Sequence, residues 1–197
     1  MANYNAVKYD GFSKGSTTLI KTLTASSSAT LSFVNGTSDV VLDSTYKEYL
    51  FIFNNIHPAT DDADFSVGFR DGSTDYDATK TTTTYYSVHN EGDTIAVLAY
   101  QTGHDIAQGT GFCQIGGDAL GNDNDQCCSG YMHLFNPSST TFVKHFMVNM
   151  NTVTEADVGV QEYTAGYCNV TAAIDAVQFK FNSGNIDAGT IQLFGVN

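Results

Sequence analysis

Residues 46–70 read YKEYLFIFNNIHPATDDADFSVGFR, and this stretch is the most informative part of the sequence about the fold. In its first half, Tyr49, Phe51 and Phe53 share one face of an extended chain, and aliphatic residues occupy the other face as far as Ile56. A strand that is apolar on both faces is typical of a central position in a β-sandwich. The stretch therefore predicts a buried strand from which the rest of the architecture can be worked out.

A polar loop and a second strand follow within the same stretch. Pro58 ends the ladder, the Asp-rich residues after it form a loop, and Phe65, Val67 and Phe69 then align on one face. Similar alternating segments recur along the chain, about nine or ten in all, separated by turns at intervals of about eight to twelve residues. No segment holds an apolar stripe at helical spacing over three turns.

These patterns predict an all-β fold, a jelly-roll-like antiparallel β-sandwich, with a single flattened barrel as the alternative. One β-sandwich domain is expected over residues 17–197, preceded by an irregular N-terminal arm at residues 1–16. Two finer expectations concern the C-terminal half. Residues 158–171 are predicted to form one or two edge strands, and residues 176–197 a closing hairpin with Ile186 tucked inward.

Charge excludes some classes of partner. The net charge is −13, and the eight Lys and Arg residues never cluster. Nucleic-acid binding needs several cations matched to phosphates, so it is rejected, and an anionic membrane surface is disfavoured. The first 18 residues have no apolar core of a secretory signal, and no apolar run approaches the length of a membrane span. An acidic surface favours solubility and suits a crowded, repetitive assembly.

The four cysteines are Cys113, Cys127, Cys128 and Cys168. Free thiols, buried or partly buried, are the favoured interpretation. Adjacent cysteines on a strand point to opposite faces, which suits a shared metal poorly. A disulfide between Cys113 and either Cys127 or Cys168 remains an alternative that the sequence leaves open.

No catalytic residue is predicted. The chain has no G-x-S-x-G motif, its five histidines lie in unrelated contexts, and its four glutamates show no apolar enclosure. A buried cluster of His, carboxylate and Ser would revive an enzymatic interpretation. The aromatic stripes TYYS, YLFIF and QFKF favour core packing, with some faces buried only between subunits.

Metal binding has a weak candidate in the loop DGSTDYD. Asp71, Asp75 and Asp77 lie there at alternate spacing, with oxygen ligands that suit Ca²⁺. The loop lacks the later Glu and central Gly of an EF-hand, so a solvated turn is favoured. The Asp residues of 61–64 and 123–125 are interpreted in the same way. No metal and no other cofactor is predicted.

Three segments, taken together, resemble one protein family. They are LIKTLTASSSATLSFVNG at 19–36, STYKEYLFIFNNIHPATDDADFSVGFR at 44–70 and AVQFKFNSGNIDAGTIQLFGVN at 176–197. The chain resembles virion structural proteins of tailed bacteriophages, notably of marine and cyanobacterial phages, over residues 19–196. The resemblance implies a particle component without transferable catalytic residues, and proteins of this kind are frequently trimeric.

On this resemblance we expect a non-enzymatic capsid decoration or cement protein. It would be made in the host cytoplasm, assemble as a homotrimer, and stabilise the virion by binding the major capsid protein or another virion protein. The N-terminal arm, through Tyr4, Tyr9 and Phe12, is the expected assembly contact to the shell. The alternative is a tail or tail-fibre component whose polar loops bind a receptor or glycan.

Overall fold

The structure is a computed structural model, and it describes residues 17–197. This part of the chain contains twelve strands and no helix, so it also contains no helix able to cross a membrane. The strands are β1 Thr17–Thr24, β2 Leu31–Val34, β3 Glu48–Pro58, β4 Phe65–Arg70, β5 Lys80–Asn90, β6 Ala96–Tyr100, β7 Cys113–Gln114, β8 Cys128–Phe135, β9 Lys144–Val153, β10 Val158–Cys168, β11 Ala176–Phe181 and β12 Ile186–Val196.

The strands form two antiparallel sheets that pack face to face. The large sheet has eight strands in the order β1-β12-β3-β8-β9-β10-β5-β6, and the small sheet has the order β2-β11-β4-β7. The all-β antiparallel sandwich is confirmed. The division into eight and four strands does not establish the jelly-roll connectivity that the sequence also predicted. We call the side of the large sheet that packs on the small sheet its inner face, and the opposite side its outer face.

Strand β3 lies in the interior of the large sheet, between β12 and β8. Tyr49, Phe51 and Phe53 are fully buried on the inner face, as the alternation predicted. Ile56 is also fully buried on this face, which corrects the expectation that it continues the other side. The cause is an irregularity between Phe53 and Ile56, where Asn55 has a φ of 49°. An extra residue in one strand reverses the alternation beyond it.

The core is centred on Phe179 of β11. Its ring lies 5.1 Å from Phe53, 5.5 Å from Phe51, 5.9 Å from Phe65 and 6.3 Å from Phe33, measured between ring centroids. These neighbours come from both sheets, so one aromatic cluster joins the two layers. Most of the contacts are edge-to-face, the arrangement that the ring quadrupoles favour.

Strand β10 is a single interior strand, hydrogen-bonded to β9 on one side and to β5 on the other. The prediction of one or two edge strands here was wrong. The inner face of β10 carries Glu162 and Thr164 among apolar residues. Polar residues on both faces of a segment are typical of an edge strand, which is why the sequence predicts one here. The side chains of Glu162 and Thr164 are both buried. The hydroxyls of Thr164 and Thr84 lie 3.0 Å apart, and Glu162 Oε2 contacts His104, whereas Glu162 Oε1 is buried without a hydrogen-bond partner among the described residues.

The closing segment is not a hairpin. Strand β11 belongs to the small sheet and β12 to the large sheet, so residues 182–185 carry the chain from one layer to the other. Gly184 has a φ of 69°, and Ile186 is fully buried, as predicted. Gly189 has a φ of 110° at an irregularity in the pairing with β3. A Cβ there would lie 2.4 Å from the Asn55 carbonyl oxygen, so the close approach requires glycine.

Candidate functional site

The calcium candidates Asp71, Asp75 and Asp77 lie in the turn between β4 and β5. The Ser73 hydroxyl is 3.0 Å from the Asp75 carbonyl oxygen and 3.4 Å from the Asp77 carboxylate, and it accepts from the Asp75 N–H at 3.1 Å. Within residues 17–197 no group of three or more His, Cys, Asp or Glu residues is placed to hold a metal ion. The structure therefore does not bring these three carboxylates together as a ligand set.

Other loop aspartates fasten loops to one another. The Asp64 carboxylate accepts from the Ala119 N–H at 3.3 Å and from the Asn182 amide at 2.7 Å. Asp61 accepts from the Asn122 N–H at 3.1 Å. Burial raises the pKa of Asp64. Asp61 and Asp64 thus hold neighbouring loops together at one end of the sandwich, which is a structural role for these two carboxylates.

A buried histidine lies between two carboxylates. The loop after β6 places His104 against the inner face of β10, where Nδ1 is 3.2 Å from Glu162 Oε2 and Nε2 is 2.5 Å from Asp118 Oδ1. The His104 side chain is only 4% exposed and that of Glu162 only 2%. Burial by itself would lower the pKa of His104. Hydrogen bonds to Asp118 and Glu162 outweigh burial and raise the pKa to about 9.

This arrangement does not resemble a catalytic base. At neutral pH an imidazole with a pKa of about 9 is protonated, and both ring nitrogens of His104 donate to carboxylates. Neither nitrogen is left to accept a proton from a nucleophile. Among the described residues no Ser or Thr hydroxyl hydrogen-bonds to the ring, and Asp118 is held further by the Gln101 amide at 2.8 Å. The cluster ties the loop after β6 to the large sheet.

The sequence contains little signal for this cluster. His104 and Glu162 are 58 positions apart, and His104 lies in a Gly-rich segment without local periodicity. The contact between His104 and Glu162 depends on the interior position of β10, which places Glu162 on the inner face of the sheet. An isolated Glu at an apolar-alternating position of a strand was the one available hint.

Two lysines are also buried on the inner face. The Lys80 ammonium donates to the carbonyls of Thr110 at 3.3 Å and Gly111 at 2.7 Å. The Lys144 ammonium donates to the carbonyls of Val170, at 2.8 Å, and Ala172. Burial lowers the pKa of both lysines. Each lysine holds a loop over one end of the sheet, as the acidic residues do elsewhere.

All four cysteines are free thiols, as the favoured interpretation predicted, and neither disulfide considered above is formed. Cys168 lies between Lys80 and Lys144 in the strand register, on the buried inner face. Burial raises the pKa of Cys113 and Cys168 to about 12. Such thiols are protonated and poorly reactive at neutral pH.

The outer face of the large sheet carries a row of exposed aromatic side chains. The strand register aligns four exposed tyrosines with the half-buried Ile52 and Asn149 across six strands, in the order Ile52, Tyr131, Asn149, Tyr163, Tyr85 and Tyr100. The rings of Tyr85 and Tyr163 are stacked with centroids 5.0 Å apart. In the adjacent row Met147 is 55% exposed. A contiguous apolar and aromatic surface thus faces outward.

Formal charge is nearly absent from this outer face. In β3, β5, β6, β8, β9 and β10 the outward-facing positions include no Lys, Arg or Asp, and their one acidic residue, Glu48, hydrogen-bonds to His133. The exposed Asp187 lies near the start of β12, where the pairing with β3 is irregular. The remaining polar residues there are hydroxyls, amides and the rings of His89 and His145. Within residues 17–197, most acidic residues therefore lie in loops or at the ends of strands. This uncharged aromatic face is the main candidate functional surface.

The predicted assembly residues Tyr4, Tyr9 and Phe12 lie outside the residues that the structure describes. No family model matches the chain, and no curated protein matches it either.

Proposed function

We propose that the chain is a non-enzymatic structural protein of a tailed-phage particle that works as a homo-oligomer. Capsid decoration or cement is the role we favour, with the major capsid protein or another virion protein as the partner. The phage assignment comes from the sequence resemblance. The single structural observation that supports assembly is the uncharged aromatic outer face of the large sheet.

Exposed apolar surface of this extent favours association. Large contiguous apolar patches on soluble proteins mark interaction sites, and aromatic residues and Met are enriched at interfaces. Tyr85, Tyr131, Tyr163 and Met147 are all exposed on the outer face of the large sheet. Burying this face against another subunit removes apolar area from water at about 25 cal/mol per Å².

Charge favours this face over other surfaces for self-association. Two copies that each carry −13 repel one another, and the repulsion is weakest where the contacting surfaces hold no charge. In the six strands β3, β5, β6, β8, β9 and β10, Glu48 is the one outward-facing acidic residue, and it is paired with His133. The same reasoning makes assembly less sensitive to salt than a contact between charged surfaces. A trimer is the oligomer that we expect from the resemblance.

Two exposed apolar residues allow a matched test. Met147 is 55% exposed on the outer face, and Phe142 is 69% exposed in the loop between β8 and β9. We expect Met147→Lys to shift the purified protein from oligomer to smaller species in sedimentation velocity, and Phe142→Lys to leave it unchanged. An oligomer that is insensitive to Met147→Lys would contradict assembly through this face.

The particle role has its own test, which is the copy number in purified virions measured by quantitative mass spectrometry. Hundreds of copies per particle are expected for a capsid protein, and a few to a few tens would indicate the tail. Absence from virions would refute the proposal. Deleting residues 1–16 is expected to abolish attachment to particles, with the oligomer retained as the control.

Glycan or receptor binding is the second candidate. A groove lined by Tyr131, Met147, Asn149 and Tyr163 crosses the outer face. Aromatic faces beside amide groups can hold a neutral sugar through stacking and hydrogen bonds. This candidate predicts binding on a glycan array that Tyr163→Ala abolishes. An array that shows no binding at high protein concentration would contradict glycan binding and leave assembly as the proposed function of the outer face.

A further inference from the structure

The two edges of the large sheet differ in how well they are protected. Strand β1 ends the sheet on one side with an irregularity in its pairing between Leu19 and Lys21. Bulges and lysines are the devices by which natural edge strands resist pairing with another chain. Its remaining exposed positions are mostly threonines. The β1 edge is therefore poorly suited to accept a further strand.

Strand β6 ends the sheet on the other side and has none of these devices. It reads AVLAY, and its pairing with β5 is unbroken from Ala96 to Tyr100. Residues 94–103 contain no side chain that is charged at neutral pH. A regular, uncharged and apolar edge strand presents free backbone groups that pair readily with another chain.

Both faces of β6 are open to solvent as well as its edge. Leu98 is 76% exposed on the outer face, and Val97 is exposed on the opposite face. Ile95, just before the strand, is exposed too. Because apolar side chains project on both sides, a partner that covers them has to lie alongside the strand and contribute apolar side chains to both faces.

We infer that β6 pairs with β6 of a second copy of this chain, antiparallel about a two-fold axis, so that the large sheet continues across two protomers. The side-chain sizes suit this pairing when it is centred on Leu98. Tyr100 then lies opposite Ala96, Val97 lies opposite Ala99, and Leu98 meets its own symmetry mate. Each large residue faces a small one or fills the centre, which is how cross-strand neighbours pack well.

Charge indicates where a second copy can make contact. The chain carries a net charge of −13, so two copies repel one another, and the repulsion is weakest where the contacting strands are uncharged. The strand itself carries no carboxylate, because the uncharged residues 94–103 span all of β6, and the nearest acidic contact is at its end, where the Tyr100 hydroxyl donates to Asp105 at 2.8 Å. This two-fold contact is separate from the proposed outer-face contact. If the outer face forms trimers, two-fold edges would link them into an extended layer.

Matched substitutions at the two edges test the inference. Leu98 on β6 and Leu19 on β1, which is 51% exposed, both face outward from edge strands of the same sheet. Both changes are made in the Met147→Lys background, so that loss of the outer-face contact does not obscure the result. We expect Met147→Lys alone and Met147→Lys/Leu19→Lys to form dimers in sedimentation equilibrium. Adding Leu98→Lys should weaken the dimer by about tenfold or more.

A disulfide test reports the register directly. At a two-fold axis through the strand pair, Leu98→Cys places two thiols within disulfide reach, whereas Leu19→Cys does not. In a Cys127→Ser background, which removes the one native thiol that is not fully buried, mild oxidation should give a covalent dimer only with Leu98→Cys. Equal cross-linking at both positions, or none at Leu98→Cys, overturns the inference.

The remaining segment of this chain that could occupy the edge is residues 1–16, and deletion separates this case. If a second copy covers β6, the chain lacking residues 1–16 dimerises as the full chain does, and its β6 amides become more protected from hydrogen exchange as concentration rises. If dimerisation appears only after the deletion, the arm covers the edge and the inference is wrong. None of these outcomes depends on the phage assignment, so each proposal can fail without the other.

Discussion

The inner and outer faces of the large sheet are built by the same strands, and they differ in whether the chain itself covers them. On the inner face, Tyr49 and Phe51 alternate with outward residues and are fully buried. On the outer face, Tyr163 and Met147 follow the same alternation and stay exposed. The alternation of side chains along a strand therefore predicts which residues share a face. This alternation does not predict whether that face is covered by the same chain or by another chain.

The faces also differ in where charge is found. The covered inner face holds an imidazolium and two ammonium groups, at His104, Lys80 and Lys144, and every one has oxygen acceptors within hydrogen-bond distance. The open outer face holds almost no charge. A charged group can be buried where hydrogen-bond partners offset its loss of hydration. A surface that becomes buried on association costs less free energy to dehydrate when it carries no charge.

The largest difference between the faces is expected at Phe179, the centre of the inner aromatic cluster. Phe179→Ala removes a fully buried ring and leaves a cavity among residues of both sheets. We expect the free energy of unfolding to fall by about 3–5 kcal/mol, measured by urea denaturation. Tyr85→Ala is the outer-face control, and it should cost less than about 1 kcal/mol in the monomer because the ring is already exposed. Equal losses would abolish the distinction between the faces.

The next effect concerns His104 and depends on pH. Its pKa in the folded protein is about 9, above the roughly 6.5 of an unfolded histidine, so its stabilisation is complete below pH of about 6.5 and is lost as pH rises through 9. The lowered pKa of Asp118, caused first by its hydrogen bond to His104, adds stability that is lost only at acidic pH. We expect His104→Gln to lose on the order of 2–3 kcal/mol near pH 6 and much less near pH 9.5.

His89 provides the control for that measurement. It contacts Asp93 at 3.2 Å, but both side chains are largely solvated on the outer side of the molecule. His89→Gln should leave the pH profile of stability unchanged within about 0.5 kcal/mol, since exposed ion pairs contribute little. A His104→Gln protein whose deficit stays constant from pH 6 to 9.5 would show that the ring is not charged in the folded state.

The smallest expected difference in stability between the two faces concerns two glycines of β10, Gly159 on the outer face and Gly166 on the inner face. A Cβ added at Gly166 would lie 2.7 Å from the Thr81 carbonyl oxygen and 2.8 Å from the Phe146 ring, whereas at Gly159 the nearest atom is the His89 carbonyl oxygen at 3.4 Å. Gly166→Ala should therefore cost about 1–3 kcal/mol, and Gly159→Ala should be nearly neutral or slightly stabilising. Thermal unfolding of the two variants compares them directly. A reversed order would mean that the strand repacks freely on its inner side.

Much of the fold follows from local patterns in the sequence. The alternation places Tyr49, Phe51 and Phe53 on one face of a strand, and Phe65, Val67 and Phe69 on one face of the next, because side chains on an extended strand alternate whatever the rest of the chain does. The inward position of Ile186 was predicted on similar grounds, from an apolar residue in a polar turn. The all-β class followed from the number of such segments and the turns between them.

Other features of the fold depend on contacts between distant segments, and local patterns in the sequence carry no information about them. The bulge at Asn55 sends Ile56 to the inner face, and residues 182–185 cross between sheets where a hairpin was expected. The interior position of β10 and the pairing of His104 with Glu162 depend on contacts between distant segments. Alternation is set by the geometry of neighbouring residues. Sheet membership, burial of charge and the choice of covered face are instead set by the free energy of packing the whole chain, which no short stretch of sequence carries.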